Sequence, residues 1–558
     1  MPHFLPSFFS RKFPHTWALV LLALATIALY GQFLWNPIIF DDVPFFRVNP
    51  DGAQQVSSYH FSFFELRSLP YATLAWSKNW FGLEIFHFRV ENLLLHLGVV
   101  LTLYFFLTSL FVAVETQSKN RFNSRHGAFL AALLFALHPV ATYATGYLVQ
   151  RTIIMASLFG LLAMLSWMRG STRGKASWLW VSVVSYYLAV FSKEHVIMLP
   201  TVLLALTVLQ HEDWRTKLRE SWYIFAAMLC IAAFVVLQKE RVLGSVYEES
   251  AAPMMIHIDG ELAYPLSILT QSWLFFKYAA LWILPNPAWM SIDIREPFAQ
   301  SILSLYLLAL AGYLTWGAAA LWLLLKRGLP GIAGFGLLFP WLMFFTEFSA
   351  VRIQEEFVLY RSYLWAIGAF CLLPIIIAKC RRRVSFFGLI AIALAFFMIS
   401  MERLTTFSHP ILLWDDAEKL VRNHLDLPGV SRIYYNRGTE LSKIGKYDVA
   451  IADFKQALAI TPGYADVWGN LAGTYLNKGD LPNALAAFEN AIGILKQIGF
   501  PPNAQFIYGH ALTLERLGEI DKARADYRLT CQLANKGCER LENKTGSTAD
   551  ENKNQITP

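Results

Sequence analysis

Two adjacent carboxylates, Asp41 and Asp42, stand shortly after the first apolar run of the sequence, which covers residues 13–35. If that run crosses a membrane, the pair lies at the membrane surface. A carboxylate there could act as the general base that deprotonates an acceptor hydroxyl. A like-charged neighbour would raise the pKa of one of the two. The alternative is a solvated acidic pair at the start of a loop.

Other polar residues also stand at the ends of apolar runs. Charged groups near membrane level are costly unless they pair with one another or line a cavity. Converging Arg and Lys side chains would suit a phosphate, with bidentate geometry favouring Arg. The candidates for an outward-facing cavity, with mutual ion pairing as the structural alternative, are Arg67, His87, Arg89, Glu91, His138, Gln150, Arg151, Lys193, Glu194, His195, Tyr360 and Arg361.

The composition predicts a membrane protein. Of the 558 residues, 56% are hydrophobic and only 16% are charged, far from the balance of soluble domains. The apolar residues form runs long enough to cross a bilayer, and the first is too long for a signal peptide and lacks a cleavage site. We predict eleven spans, at 13–35, 91–113, 128–147, 151–168, 176–191, 195–210, 221–237, 301–325, 331–348, 362–378 and 384–400.

Basic residues decide the predicted orientation. They cluster in short loops between the apolar runs, as the positive-inside rule requires of cytoplasmic loops. All six basic groups fall on one side if the run at 267–284, which Lys277 interrupts, is re-entrant or interfacial. The prediction is a cytoplasmic N-terminus and an exported C-terminus. The same loops account for the net charge of +7, and no basic face interleaved with aromatics indicates nucleic-acid binding.

The chain becomes polar after Ser400 and shows an internal repeat. Gly438, Gly445, Ala450, Phe454 and Ala457 recur 34 residues later as small and aromatic residues of the same kinds. This is the period of the tetratricopeptide repeat (TPR), a pair of helices. An offset third copy makes three repeats. The predicted domains are 1–400 in the membrane, a connector at 401–430, TPRs at 431–540 and a disordered tail at 541–558.

Several stretches then resemble one known family. They are FDD at 40–42, RSLPYATLAWSKNWFGLEIFHFRVENLLLHL at 67–97, HPVATYATGYLVQR at 138–151, SKEHVIMLP at 192–200 and LYRSYLW at 359–365, followed by the TPRs. In this order they resemble the transmembrane-and-TPR O-mannosyltransferases (TMTC) and their bacterial relatives. The resemblance implies an all-α GT-C fold, a sugar donor carried on polyprenyl phosphate, and transfer on the exported face.

The resemblance also implies residue roles. It makes Asp41 or Asp42 the catalytic base and Arg151 a contact of the donor phosphate, with Lys193 and Arg361 as further donor-site candidates. Around Arg361 the sequence EEFVLYRSY departs from the family pattern. The implied partners are the lipid-linked sugar, membrane lipids and an exported protein that the TPR groove holds.

The function expected from the sequence is therefore O-glycosylation by a multi-pass protein of a bacterial inner membrane, with periplasmic TPRs. No metal site and no cofactor is expected, and no glycine-rich dinucleotide motif indicates a nucleotide-sugar donor. Two alternatives stay open. One is an oligosaccharide ligase that uses a lipid pyrophosphate, with a divalent metal; the other is a non-enzymatic TPR scaffold for envelope or pilus assembly. Replacing Asp41 and Asp42 should leave a scaffold function intact, whereas it should abolish either transferase activity.

Cys531 and Cys538 are the two cysteines of the soluble domain, and an oxidising compartment would permit a disulfide between them. Seven residues of unbroken helix separate Cα atoms by about 10 Å, which is beyond the reach of a disulfide. Pairing therefore requires the helix to break at 535–537, where Gly537 suits a helix C-terminus. The alternative is two unpaired residues that pack a continuous last helix.

Overall fold

The computed structural model describes residues 14–46, 55–117, 124–238, 245, 260–353, 355–373, 375 and 382–542. Within these residues the secondary structure is helical, apart from one isolated antiparallel bridge between Ile294 and Phe357. The all-α prediction is confirmed. The chain forms two compact units, Met1–His409 and Pro410–Pro558. The predicted disordered tail lies almost entirely outside the described residues.

The α-helices of the first unit alternate with short 3₁₀ turns. In chain order they are α1 His15–Tyr30, α2 Asp42–Phe46, α3 Ser68–Phe81, α4 Ile85–Gln117, α5 Ser124–Ala136, α6 Thr142–Thr145, α7 Arg151–Arg173, α8 Ala176–Ser192, α9 Leu199–Gln210, α10 Trp214–Glu220, α11 Trp222–Gln238, α12 Ala263–Ile283, α13 Leu305–Leu325, α14 Gly328–Met343, α15 Ser362–Ala369 and α16 Arg382–Thr406.

Six described helices are long and apolar enough to cross a membrane, and the number rises to eight if each of two bent pairs is one span. The predicted spans 176–191 and 195–210 correspond to apolar helices that are too short to count among these six. The span 362–378 begins with α15 and runs into residues outside the described part. The membrane character of the chain is thus supported, and eleven crossings stay a prediction.

Breaks between helices bring the polar residues to helix ends. His138 and Pro139 separate α5 from the next helical turn, and the two halves meet at 52°, because proline cannot continue a helix. The ring of His138 accepts a hydrogen bond from the backbone N–H of Val140 at 3.2 Å and so caps that turn. A second break follows α8, where Lys193 has extended backbone angles.

Helix α12 contains most of the run for which we predict no net crossing. It is not among the described helices that are long and apolar enough to cross a membrane. One of its faces is tied to the segment 350–358 by side-chain donors: Gln271 donates to the carbonyl of Glu356 at 3.1 Å and Tyr278 to that of Val358 at 3.0 Å. Lys277, the residue that interrupts the run, pairs with Glu296. Whether α12 is re-entrant stays a prediction.

The second unit is a stack of antiparallel helix pairs. Its helices are α17 Pro410–Val421, α18 Val430–Lys443, α19 Tyr447–Ile460, α20 Ala465–Lys478, α21 Leu481–Gln497, α22 Ala504–Arg516, α23 Ile520–Ala534 and α24 Glu539–Glu542. Phenylalanine rings fill the space that glycines leave in facing helices. A Cβ on Gly469 would lie 2.2 Å from Phe506, and one on Gly509 would lie 2.2 Å from Phe488. Gly469 and Gly509 are therefore required for the packing of these helices.

The last long helix ends between the two cysteines. Asn535 takes left-handed backbone angles after α23, and Gly537 follows with φ of 81°. A Cβ on Gly537 would lie 2.8 Å from the ring of Tyr527, so only glycine fits there. This break brings the Cα atoms of Cys531 and Cys538 to 5.0 Å, and the two residues are joined by a disulfide.

We expect the Cys531–Cys538 disulfide to form in cells and to stabilise the TPR unit. Alkylation of the membrane fraction without reductant should leave both residues unmodified, and alkylation after reduction should label both, as read by peptide mass spectrometry. In the chain-entropy estimate, closing so short a loop contributes about 2–3 kcal/mol. Two free thiols before reduction would contradict the pairing. Labelling of both residues after reduction is the positive control.

Candidate active site

The acidic pair lies on a strained turn. Phe40 has φ of 47°, in the left-handed region that bulky residues rarely adopt, and such strain typically costs about 1–3 kcal/mol. The next two residues differ in environment, since Asp41 is partly exposed and Asp42 is fully buried. Only Asp41 therefore reaches solvent, although the two carboxylates are adjacent in sequence.

Asp42 binds the backbone of a distant turn. Its two carboxylate oxygens accept hydrogen bonds from the N–H groups of Leu148 at 3.1 Å and Val149 at 2.9 Å. Burial raises the pKa of Asp42 to about 6, against the lowering effects of the Val149 N–H and the Arg89 guanidinium. The carboxylate thus holds the segment that leads into α7.

Arg89 braces the same turn from the other side. This buried guanidinium donates to the backbone carbonyls of Asn36 at 2.7 Å, Gly146 at 2.9 Å and Pro37. It therefore connects the chain just after α1 with the turn that Asp42 holds. The sequence suggests Arg89 as a cavity residue, and its contacts describe a residue that positions the acidic pair.

Arg151, the first residue of α7, is completely buried and surrounded by acceptors. Its Nη1 donates to Glu91 at 3.0 Å and to Thr73 at 2.9 Å, its Nε to Asn92 at 2.9 Å, and its Nη2 to the carbonyl of Phe88 at 3.2 Å. Every nitrogen of the guanidinium is bound to protein. A phosphate could reach Arg151 only by displacing these partners, so its role as a donor contact stays a prediction.

Lys193 presents the opposite situation. Its side chain is only 5% exposed, and among the described residues its ammonium makes one specific contact, a cation–π contact 5.4 Å from the ring centroid of Tyr360. Burial, and next the charge of Arg67, lower the pKa of Lys193 to about 7. A desolvated amine without a carboxylate partner would gain stability from a bound anion.

Paired charges surround Lys193. Arg67 forms a bidentate pair with Glu194, with Nε–Oε2 at 3.0 Å. Arg361 donates to Glu355 at 3.0 Å, and it also lies 3.4 Å from Glu347. These guanidiniums are partly or wholly neutralised by protein carboxylates. Lys193 is thus the described cation of this cluster with the least compensation.

Glu347 is the residue at the centre of this cluster that the sequence reasoning missed. It is fully buried in the turn after α14, and Arg352 at 2.8 Å, His195 at 3.2 Å and Arg361 all contact it. A signal was present, because a carboxylate stands at the end of an otherwise apolar run, and such residues are rare unless they pair. Arg352 follows the same run and was missed with it.

Aromatic rings connect the acidic turn to Lys193. The ring of Phe40 lies 6.1 Å from that of Tyr147, and Tyr147 lies 6.5 Å from Tyr360. Tyr360 in turn covers the Lys193 ammonium. The structure thus brings together the FDD, QR, SKE and LYR stretches, which are far apart in the sequence.

Two predicted residues, His138 and His87, have contacts that indicate structural roles, and a third, Gln150, is buried. His138 stacks on Trp282 at 4.2 Å and contacts its carbonyl at 3.1 Å. His87 stacks on Phe81 at 4.4 Å. Gln150 is buried, and its side-chain oxygen lacks a hydrogen-bond partner in the described part of the chain.

The second unit contains a small cleft. Its described lining is Ser442, Gly469, Asn470, Gly473, Thr474, Asn477, Phe488, Gln505 and Phe506. Most of these residues come from the first helices of the repeats, and they carry amide and hydroxyl groups without formal charge. Gly473 lies inside α20, and a Cβ added to it would meet no atom within 4 Å.

Comparison with known proteins supports both parts of the chain. Residues 435–497 match the tetratricopeptide repeat family. Over 190 residues the chain is 32% identical to the human protein O-mannosyl-transferase TMTC1, a match that covers 31% of this chain and 20% of TMTC1. Over 517 residues it is 24% identical to human TMTC4, covering 81% of this chain and 67% of TMTC4. The resemblance to the TMTC proteins is confirmed.

Two other comparisons add less. The chloroplastic TPR protein PYG7 of Arabidopsis thaliana is 36% identical over 63 residues, which is 11% of this chain. The solved APC/C hetero-tetramer Cut9-Hcn1 aligns over 84% of this chain and 89% of the solved one with 13% identity, but its TM-score of 0.21 is too low to indicate a shared fold.

We expect the ionised form of Asp42 to destabilise the first unit. Its pKa of about 6 exceeds the ordinary value of 3.8, and this difference corresponds to about 3 kcal/mol. The stability that the protonated Asp42 carboxyl contributes is fully present below the ordinary pKa of 3.8. It is lost as the pH rises through about 6. The melting temperature of the purified protein should therefore fall between about pH 4 and pH 6, the window given by the two pKa values.

Substitution isolates the contribution of Asp42 to the pH dependence of the melting temperature. The Asp42→Asn protein should lose this component of the pH dependence, and Asp41→Asn, the matched control, should keep it. An identical pH dependence in the native and Asp42→Asn proteins would contradict the assignment.

Proposed function

We propose that the chain is a membrane glycosyltransferase that moves a sugar from a polyprenyl-phosphate donor to a hydroxyl of an exported protein. The observation that carries this proposal is the buried amine of Lys193, which the ring of Tyr360 covers and which Tyr360 and Tyr147 connect to the turn that carries Asp41. A base and an anion-binding cation are the two groups that such a transfer needs. The names of the TMTC relatives support the glycosyltransferase class.

Asp41 is the proposed base and Asp42 its support. Both oxygens of Asp42 are already engaged by backbone N–H groups, whereas Asp41 is partly exposed. In the proposed reaction the carboxylate of Asp41 takes the proton of the acceptor hydroxyl as its oxygen attacks C1 of the sugar. The bond between C1 and the phosphate oxygen breaks, and the configuration at C1 inverts.

Lys193 is the proposed partner of the leaving polyprenyl phosphate. Charge develops on the phosphate oxygen as the bond breaks, and a preorganised cation in a desolvated site stabilises that charge strongly. The ammonium fills this role without a metal ion, so the proposed reaction needs no cofactor. Arg361 and Arg67, held by carboxylates, add positive potential around it.

The proposed site faces the exported side of the membrane. The parity of the basic loops supports this orientation. The Cys531–Cys538 disulfide supports it independently, because disulfides persist in oxidising compartments. In a bacterium these arguments correspond to the periplasmic face of the inner membrane.

Substitution separates the proposed base from the proposed phosphate contact. With purified full-length protein and a polyprenyl-phosphate sugar, Asp41→Asn should lower kcat by about 10²–10⁴-fold, the usual contribution of a general base. Lys193→Met should raise the donor KM and lower kcat, because the phosphate loses its cation.

Arg151 provides the structural contrast. Removing one partner of a buried ion pair costs about 3–5 kcal/mol, so Arg151→Met should lower the melting temperature, and Lys193→Met should leave it unchanged or raise it. Full transfer by both Asp41→Asn and Lys193→Met would overturn the proposed function. A lipid-pyrophosphate donor that is used in preference to the monophosphate would indicate an oligosaccharide ligase.

The cleft of the TPR unit is the proposed acceptor site. A glycine inside a helix costs about 0.8–1 kcal/mol relative to alanine, and no packing contact explains the one at Gly473. Close approach of a partner's backbone would explain it. Asn470, Asn477 and Gln505 line the cleft with neutral amide groups, which suit an extended, uncharged polypeptide segment.

Filling this cleft should block protein acceptors selectively. We expect Gly473→Leu to reduce transfer to a protein acceptor by roughly tenfold, a loss of about 1.4 kcal/mol in binding, and to leave transfer to a short hydroxyl-bearing peptide unchanged. Gly493→Leu is the matched control, because Gly493 lies inside α21 with equally open space around it. Equal effects of the two substitutions would argue against acceptor binding in the cleft.

A further inference from the structure

Phe407 is a buried aromatic residue in a part of the chain where the sequence predicts a connector, residues 401–430. In the structure it directly follows α16 and belongs to the first compact unit, which ends at His409. Its side chain is fully buried. Connecting segments normally run over the protein surface, so the burial of this ring needs an explanation.

Phe407 packs on the turn between α6 and α7. Its ring lies 5.6 Å from that of Tyr143 and 5.6 Å from that of Tyr147, edge-on in both cases. Gly146 stands between these two tyrosines, and a Cβ added to it would lie 3.2 Å from the Phe407 ring. The close approach of the ring therefore depends on the absence of a side chain at residue 146.

Polar contacts anchor the end of α16 that carries Phe407. The side-chain amide of Asn36 donates to the carbonyl of Leu404 at 3.3 Å. The buried guanidinium of Arg403 donates to the carbonyl of Met290 at 2.8 Å. These contacts hold the last turn of the helix against two other segments of the first unit. Phe407 is thus presented to the turn from a fixed support.

Tyr147 is the residue where this packing meets the proposed site. Its ring lies 6.1 Å from that of Phe40 and 6.5 Å from that of Tyr360. Phe40 directly precedes Asp41, and Tyr360 covers the amine of Lys193. The position of the Tyr147 ring therefore affects both the proposed base and the proposed phosphate contact.

We propose that Phe407 is a positioning residue, whose ring fixes that of Tyr147 and thereby holds the base and the phosphate contact at a productive separation. Closely packed side chains keep one arrangement because few voids allow another, and Phe407 fills the space beside Gly146. Misplacing reacting groups by about 1 Å can lower a rate by about 100-fold. The effect on transfer rests on the proposed function, whereas the support of the turn does not.

Truncation of the ring should separate turnover from donor binding. We expect Phe407→Ala to lower kcat by about 10- to 100-fold and to leave the donor KM unchanged. The void beside Gly146 lets the Tyr147 ring move, whereas Lys193 keeps its amine for the phosphate. Phe407→Leu retains a large apolar side chain at this position and should restore most of kcat.

Phe111→Ala is the matched control for lost stability. Phe111 is also fully buried, and it lies in α4 about 30 Å along the helix from Arg89, at 1.5 Å per residue. Both alanine variants lose a buried ring and should therefore melt at a lower temperature. Only Phe407→Ala should lower the kcat of the folded protein. Equal losses of kcat in the two variants would overturn the positioning role, as would an unchanged kcat in Phe407→Ala.

Hydrogen exchange tests the support of the turn without a sugar donor. The amides of Leu148 and Val149 bind the Asp42 carboxylate and follow the residues on which Phe407 packs. In full-length protein, Phe407→Ala should raise the exchange rate of the peptide with these amides about tenfold, because the turn opens locally more often. Phe111→Ala should leave that rate unchanged.

The two measurements fail separately. Unchanged exchange at this peptide in Phe407→Ala would overturn the inference, whatever the transfer assay gives. A native protein that moves no sugar from polyprenyl phosphate would instead refute the proposed function. Faster exchange in Phe407→Ala would then still support the role of the ring in holding the turn.

Discussion

Removing charged groups from water is the constraint on which the first unit depends. A lone buried charge is so unfavourable that each must find a partner or lose its proton. Arg151 meets this requirement with four protein partners, and Arg89 with three backbone carbonyls. These contacts join chain segments that are far apart in sequence. The geometry of the acidic turn is thus a consequence of satisfying cations.

The same constraint distinguishes structural from reactive groups. Arg151 and Lys193 are both buried basic residues in stretches that resemble the TMTC pattern. Arg151 is saturated with acceptors, whereas Lys193 has a tyrosine ring and a lowered pKa. Saturation gives stability, and an uncompensated charge gives affinity for an anion that arrives from outside. Functional sites commonly keep such a local departure from the rules of folding.

Much of the architecture could be predicted from the sequence, because it depends on local periodicity. The 34-residue repeat predicted the TPR helices. The positions of Cys531, Gly537 and Cys538 left two alternatives open, a break at 535–537 with a disulfide or a continuous last helix, and the structure shows the break. Hydropathy located the apolar helices. The predicted span 128–147 was wrong in being continuous, because the helix breaks at His138 and Pro139 inside it.

The partners of the buried charges could not be predicted in this way. Which carboxylate meets Arg151 depends on how α3, α4 and α7 pack, and no local pattern encodes that packing. Glu347 shows the same limit, since its contacts come from residues on three separate segments. From the sequence alone, Asp41 and Asp42 are equivalent candidates for the catalytic base. Burial and the distant backbone N–H groups of Leu148 and Val149, which bind Asp42, distinguish the two.

The cluster around Glu347 has a consequence for ionic strength. Arg67, Lys193, Arg352 and Arg361 are basic, and the described carboxylates that pair within the cluster are Glu194, Glu347 and Glu355. Mobile salt ions screen exposed charges over about 8 Å at physiological ionic strength but hardly penetrate buried groups. The surplus positive charge is that of Lys193 in its protonated form, below a pKa of about 7. Concentrated salt screens it less than a surface charge, so an anion held there would stay bound where a surface site would release it.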